Sequence, residues 1–275
     1  MASQEVAPSG VDMSVPSVAR VYDFMLGGKD NFAVDRAVAE HALSITPDGP
    51  EAAQANRSFL RRVVRFLAAE QGIDQFLDLG SGLPTQGNVH QVATACNPQS
   101  RVVYVDNDPI VLAHGRALLA DAGTTTVLQA DVRSPEAILD HPETRRFLDF
   151  DRPVGLLLFG ILHHLRDDEN PKGVAARLVA ALPSGSYVAI SHFRDPGDRA
   201  PDASRKAREV ERIFNESLGT GRWRTDEEIL SYVEGLEVLE PGLVPFAEWR
   251  PAPGESLPAQ SDTYHTFVGL LARKP

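Results

Sequence analysis

The chain has 275 residues, 43% of them hydrophobic, enough for one large α/β core. Its 27 Lys and Arg residues stand against 38 Asp and Glu; the formal charge of −11 opposes non-specific binding to nucleic acid or anionic membranes and favours a small or uncharged substrate. One cysteine, Cys96, excludes an intrachain disulfide and a cysteine-based zinc site, and no stretch is apolar enough for a signal peptide or membrane span, so the expected location is cytoplasmic and no metal is expected.

Taken in order, Met1 to Val15 lacks periodicity and reads as a loose tail. From Ser17, the apolar residues Val18, Val21, Tyr22 and Met25 recur at helical spacing, and Gly27-Gly28 supplies a C-cap. Asp30 or Asn31 is the predicted cap of a second helix with the stripe Phe32, Val34, Ala37, Val38, Ala42 and Ile45, stopped by Pro47-Asp48-Gly49-Pro50. A longer helix from about Glu51 to Glu70 turns Phe59, Leu60, Val63, Val64 and Leu67 inward and leaves Arg61, Arg62 and Arg65 to solvent. Arg57 and Arg61 read as solvated unless they face a pocket. Together, residues 16–72 predict a helical cap ahead of a core spanning 73–275.

The core opens with QFLDLGSGLPTQG, Gln75 to Gly87. Phe76, Leu77 and Leu79 supply a buried strand, and Gly80 and Gly82 let the backbone pass close to a ligand. Asn88 is the predicted N-cap of the next helix, with Gln91 closing a capping box. Strand and helix then alternate: Arg101–Asp106, a helix around Ile110–Ala122, Thr125–Ala130, a helix near Pro135–Leu139, the wholly apolar Pro153–Phe159, a helix ending near Leu182, and Ser186–Ser191. Such alternation predicts parallel βαβ units, with Pro153–Phe159 central and covered on both faces. After charged helical stretches at Pro201–Leu218 and Thr225–Val233, the segments Leu236–Leu239 and Thr263–Ala272 read as an antiparallel pair at the sheet edge.

Three acids, Asp78, Asp106 and Asp131, fall at three strand ends on the same carboxyl edge. Asp106 lies at roughly the twenty-residue spacing from the glycine turn at which a carboxylate accepts both hydroxyls of an adenosine ribose. Asp108 suits the helix cap beside it. Asp131 suits an adenine amine, or the capping of its own turn through Arg133 or Ser134.

These stretches carry a resemblance. FLDLGSG, VYVDND, QADV and FGILHHL, in that order, resemble the successive motifs of class I S-adenosylmethionine-dependent methyltransferases. VYDFMLGGKDNF, GLPTQGNVH and VGLLL are similar to an actinobacterial branch, the S-adenosyl methyltransferase family once called a domain of unknown function. The resemblance implies a Rossmann-like, seven-stranded, mostly parallel sheet with a reversed last strand, and S-adenosyl-L-methionine as cofactor. It implies that Asp78, Gly80, Ser81 and Gly82 of the first motif hold the cofactor, joined by Asp106 and Asn107, by Asp131 and Val132, and by Gly160. Pro84 stands where the class has a third glycine.

Methyl transfer from a sulfonium needs alignment and exclusion of water, and a base only where the acceptor must lose a proton. His163 and His164, just past the fourth strand, are the candidate bases by neutral-pH titration, or a packed pair without chemistry; His192 is a weaker candidate. Tyr22, Lys29, Asn31 and Phe32 suit an amino-acid tail, with a cation for its carboxylate, or alternatively a capped helix turn. The functional expectation is methyl transfer to a small molecule. Alternatives are a non-catalytic S-adenosylmethionine-binding or sensing protein, an aminopropyltransferase, and an NAD-dependent oxidoreductase, the last disfavoured because the turn lacks the final glycine of G-x-G-x-x-G.

Overall fold

The structure, a computed structural model, describes residues 11–84, 87–119, 123–251 and 260–275. Residues 1–10 of the predicted tail, 120–122 of a predicted helix, and Thr85 and Gln86 of the glycine loop lie outside these. The described part of the tail is tied down: the Arg20 guanidinium donates to the carbonyls of Val15 and Asp12.

Three helices precede the sheet, α1 (Val18–Met25), α2 (Ala33–Ile45) and α3 (Gly49–Ala69). Ser17 caps α1. Neither Asp30 nor Asn31 caps α2. Phe32 holds that position, and its N–H donates to Asp35 Oδ2 at 2.8 Å. Asp30 and Asn31 instead close a turn around Asp23, whose Oδ2 accepts from the Asp30 N–H at 2.9 Å and the Asn31 Nδ2 at 2.8 Å. A side chain seven or eight residues back in sequence outcompetes local capping here. Arg62 also departs from expectation: it donates to the carbonyls of Trp249 at 2.9 Å and Phe246 at 2.6 Å, so α3 presses its inner side on the chain's C-terminal part. Phe59 is fully buried between Phe159 and Phe246, in one cluster with Phe76, Tyr187 and Leu271. Thus α3 forms a layer on the sheet, whereas α1 and α2 pack through Val21, Val38 and Ala42 on Val210 and Phe214.

The alternation follows as β1 (Gln75–Leu79), α4 (Val89–Cys96), β2 (Arg101–Asp106), α5 (Pro109–Leu119), β3 (Thr125–Gln129), α6 (Pro135–Leu139), α7 (Pro142–Phe147), β4 (Gly155–Phe159), α8 (Pro171–Ala180) and β5 (Tyr187–Phe193). Then come α9 (Pro201–Leu218), α10 (Asp226–Leu230), β6 (Glu237–Val238), β7 (Val244–Pro245), α11 (Asp262–Thr266) and β8 (Phe267–Arg273). The strand order is β3-β2-β1-β4-β5-β8-β6, with β7 also beside β8. β1 to β5 pair in parallel and β8 runs antiparallel to β5, the reversed strand that the sequence predicts. Burial on both faces explains the unbroken apolar run of β4, whose five residues are all buried.

Among the described residues the sheet has eight strands rather than seven. β8 offers a seven-residue edge and β6 covers only two residues of it, so the chain returns as β7 to pair Val244 with Gly269, leaving fewer unpaired backbone groups. The predicted strand from Thr263 starts four residues late, because Thr263 to Thr266 belong to α11. Asp48, far away in sequence, accepts the Thr263 N–H at 3.1 Å, and Thr266 Oγ1 bonds back to the Asp262 carbonyl at 3.3 Å. Among the described residues, no helix is long and apolar enough to cross a membrane.

Candidate functional site

A cavity of about 820 Å³ opens at the carboxyl ends of the parallel strands, walled on one side by the loops after β1, β2, β3 and β4 and on the other by α1, α2 and α9. Its size suits a cofactor together with a small second ligand.

The glycine turn is pinned from behind. The Gly80 N–H donates to the Val105 carbonyl at 2.8 Å and the Ser81 N–H to the same oxygen at 3.2 Å. Among the described residues, Gly82, at φ 65°, has no atom within 4 Å of where a Cβ would stand, which leaves space for a ligand to approach its backbone. The Gly82 N–H donates to Asp106 Oδ2 at 2.9 Å, and the Asp108 N–H to Asp106 Oδ1 at 3.0 Å. Burial raises the Asp106 carboxyl, against these two bonds. Each oxygen keeps a second lone pair, so the carboxylate can still accept two hydroxyls. Asp108 accepts the Ile110 N–H at 3.0 Å, as a cap of α5, and also the Ser17 hydroxyl, which fastens the start of α1 to the end of β2.

Asp131 lines the cavity and caps its own turn. It accepts the Arg133 N–H at 2.9 Å and the Arg133 guanidinium at 3.0 Å. Asn107, Val132 and Gly160 also line the cavity. Asp78 is buried, and burial pushes its carboxyl up to about 7, with Arg57 opposing and Asp106 adding.

Arg57, read from the sequence as solvated unless it faces a pocket, does face one. It is buried on α3, donates from Nη2 to Asn88 Oδ1 at 3.1 Å, and leaves Nε without a partner. Its spacing from Leu60 and Val64 puts it on the inward stripe of the helix, a signal legible beforehand. Of the lid residues, Tyr22 reaches the cavity: its hydroxyl donates to the Ala53 carbonyl at 3.2 Å and accepts from Asn56 at 3.0 Å. Lys29 is exposed and outside the cavity wall. Asn31 is buried away from it, its amide bonded to Asp23 and the Gly28 carbonyl. Phe32 packs with Leu83, Ile110 and Val111.

The histidines form a buried group. His163 Nδ1 accepts the Phe193 N–H at 3.2 Å, which assigns the proton to Nε2 and makes the ring a donor. His192 contacts the Phe193 carbonyl through Nδ1 at 2.6 Å, so there Nδ1 carries the proton. His164 Nδ1 has no partner. Burial holds His163 well below its ordinary value, helped by His164 and His192, and lowers His164 to about 3 with the Arg133 charge adding. Burial likewise lowers His192 to about 3. Burial therefore favours the neutral form of all three.

Beyond the histidines the wall changes to Met25, Ala42, Phe193, Ala207, Val210, Phe214, Trp223 and Phe267. Their convergence from five elements and a loop is not readable from local pattern.

Comparison with known proteins adds three findings. The family profile described as S-adenosyl methyltransferase matches residues 4–275. A candidate methyltransferase from Thermobifida fusca YX is 48% identical, with 97% of this chain and 98% of that one covered at a TM-score of 0.91. A DUF574-family protein from Streptomyces avermitilis MA-4680 is 39% identical, with 96% and 99% covered at a TM-score of 0.89. An O-methyltransferase family protein from Burkholderia thailandensis, 15% identical with 84% and 61% covered and a TM-score of 0.51, shares the fold alone. None of the curated proteins matches the chain.

Proposed function

The chain belongs to the S-adenosyl methyltransferase family, and from that premise we propose that it transfers methyl groups from S-adenosyl-L-methionine to a small-molecule acceptor held in the cavity. The observation that carries this reading is Asp106, with each carboxylate oxygen fixed by one backbone N–H beside the space left at Gly82. When bound, the cofactor supplies a methyl group already activated on a sulfonium sulfur. The chain's own residues bind, orient and exclude water.

Asp106 accepts the ribose hydroxyls, while Asn107, Asp131 and Val132 border the adenine. Gly80, Ser81, Gly82 and Gly160 let backbone pass close to the amino-acid tail. Arg57 takes the role first read for Lys29, receiving the tail carboxylate, with Tyr22 beside it and Asp78 facing the tail ammonium. The buried Arg20–Asp35 pair, at 3.0 Å, and the Ser17–Asp108 bond keep α1 over the ribose end, so within residues 16–72 the cap is α1 and α2, with α3 in the layer on the sheet. His163, an N–H donor, orients the acceptor. His164, whose Nδ1 has no partner, is the proposed proton acceptor where the substrate must lose a proton. Free, exposed Cys96 suits a reducing compartment, and the cytoplasm is the proposed location.

Calorimetric titration with S-adenosylmethionine, S-adenosylhomocysteine and NAD tests the reading. The first two bind and NAD does not; binding of NAD alone would overturn it.

A further inference from the structure

Resting on the methyltransferase reading, we propose that the half of the cavity remote from the glycine turn is a slot for an uncharged, planar, hydroxylated aromatic acceptor, seated against Phe193 and Trp223. Three planar groups stand in a stack along this wall. His163 lies on Phe193 with ring centroids 3.5 Å apart and planes 13° off parallel, and Phe193 lies on Trp223 at 4.3 Å and 21°. Phe267 meets Phe193 edge-on at 5.0 Å and 67°. With His163 and Trp223 on its two faces, Phe193 offers its edge and Trp223 its outer face to another flat ring, which gains from offset or edge-on contact beyond simple burial.

Charge is partitioned within the cavity. Arg20, Arg57, Asp78, Asp106, Asp131, Arg133 and Arg166 are among the ionisable residues that line the cavity, whereas the stretch formed by Ala42, Phe193, Ala207, Val210, Phe214 and Trp223 brings no ionised group. A charged acceptor would be desolvated there with no partner, a cost that a neutral one avoids. Trp223 Nε1 and Asn56 Oδ1 are buried without hydrogen-bond partners among the described residues, on two residues of the wall, one a donor and one an acceptor. A hydroxyl, which donates and accepts, answers either.

The test uses the full chain saturated with S-adenosylhomocysteine and three probes: 2-naphthol, 2-naphthoate, and decahydro-2-naphthol, which is neutral but not planar. Calorimetry should give 2-naphthol at least about 10-fold tighter binding than either of the others. Trp223→Leu should weaken 2-naphthol by about 10-fold, while Trp223→Phe, which keeps an aromatic face, should cost less than about threefold. S-adenosylhomocysteine affinity should stay unchanged in both. Should Trp223→Leu fail to fold, Ala207→Leu narrows the slot and should weaken 2-naphthol instead. Equal affinity for all three probes, or unchanged 2-naphthol binding in the folded slot variants, would overturn the proposal. If the wild type binds 2-naphthol selectively but not S-adenosylhomocysteine, the cofactor reading fails and the slot stands; if it binds S-adenosylhomocysteine without discriminating the probes, the slot alone fails.

Discussion

At the strand ends the cavity is made of backbone and short acids: two N–H groups fix Asp106, and one carbonyl, that of Val105, anchors both Gly80 and Ser81. Across from it, Phe193, Phe214 and Trp223 present rings from β5, α9 and the loop beyond, and what holds them is packing. In the first half directional bonds fix the Asp106 carboxylate and the glycine turn, and its chemistry is that of one ligand with fixed donors and acceptors. The second half selects by shape and the absence of charge. A methyltransferase that keeps its cofactor while varying its acceptor would be expected to divide its pocket in this way.

The largest effect that would break this division is expected at Asp106. Charge-assisted hydrogen bonds are worth about 1.5–3 kcal/mol each before coupling discounts them. Asp106→Ala should therefore weaken S-adenosylmethionine about 100-fold, and Asp106→Asn, with one acceptor oxygen, about 10-fold. Binding of 2-naphthol should be unaffected in both. Asp108→Ala is the contrast: loss of the α5 cap and of the Ser17 bond should cost about 0.5–2 kcal/mol of stability, read in melting temperature, with much less loss of affinity. Full cofactor affinity in both Asp106 variants, with lowered melting temperatures, would make Asp106 a cap and nothing more.

A smaller effect separates the two cations. Arg57→Met should weaken S-adenosylmethionine about 10-fold by calorimetry, whereas Lys29→Met should leave it unchanged. The reverse pattern would return the carboxylate to Lys29 and remove Arg57 from the site.

The smallest effect is in pH dependence, where the halves should pull in opposite directions. Asp78 is raised from 3.8 to about 7, so the folded apoprotein binds the extra proton between those values; its stabilisation is complete below pH 4 and is lost as pH rises through 7. Asp78→Asn should therefore gain stability relative to wild type on going from pH 5 to pH 8, by about 1 kcal/mol or more. The histidines are lowered from 6.5, His164 and His192 to about 3, so the unfolded chain binds more protons between those values. Their contribution is complete above pH 6.5 and declines as pH falls toward 3. Urea denaturation of wild type, Asp78→Asn and His164→Gln across pH 4–8 checks both signs; a His164→Gln curve parallel to wild type below pH 6.5 would show that His164 titrates normally.

Local chemistry in the chain was enough to specify the alternating strands and helices, the glycine turn, the acids at the strand ends and an antiparallel pair at the sheet edge, because each is written in a period, a turn residue or an apolar run a few residues long. Asp108 as cap beside Asp106 was legible for the same reason. What only the tertiary structure decided depends on residues far apart in sequence. Asp48 turns Thr263 to Thr266 into helix, and the uncovered edge of β8 recruits the eighth strand. Asp23 gathers Asp30 and Asn31 into a turn, which leaves Lys29 outside the cavity while Arg57, carried inward by α3, stands beside Asp78. The wall of Phe193, Phe214 and Trp223 has no sequence signature, since stacking depends on where backbones from β5, α9 and the following loop come together, and no periodicity within one segment encodes that distance.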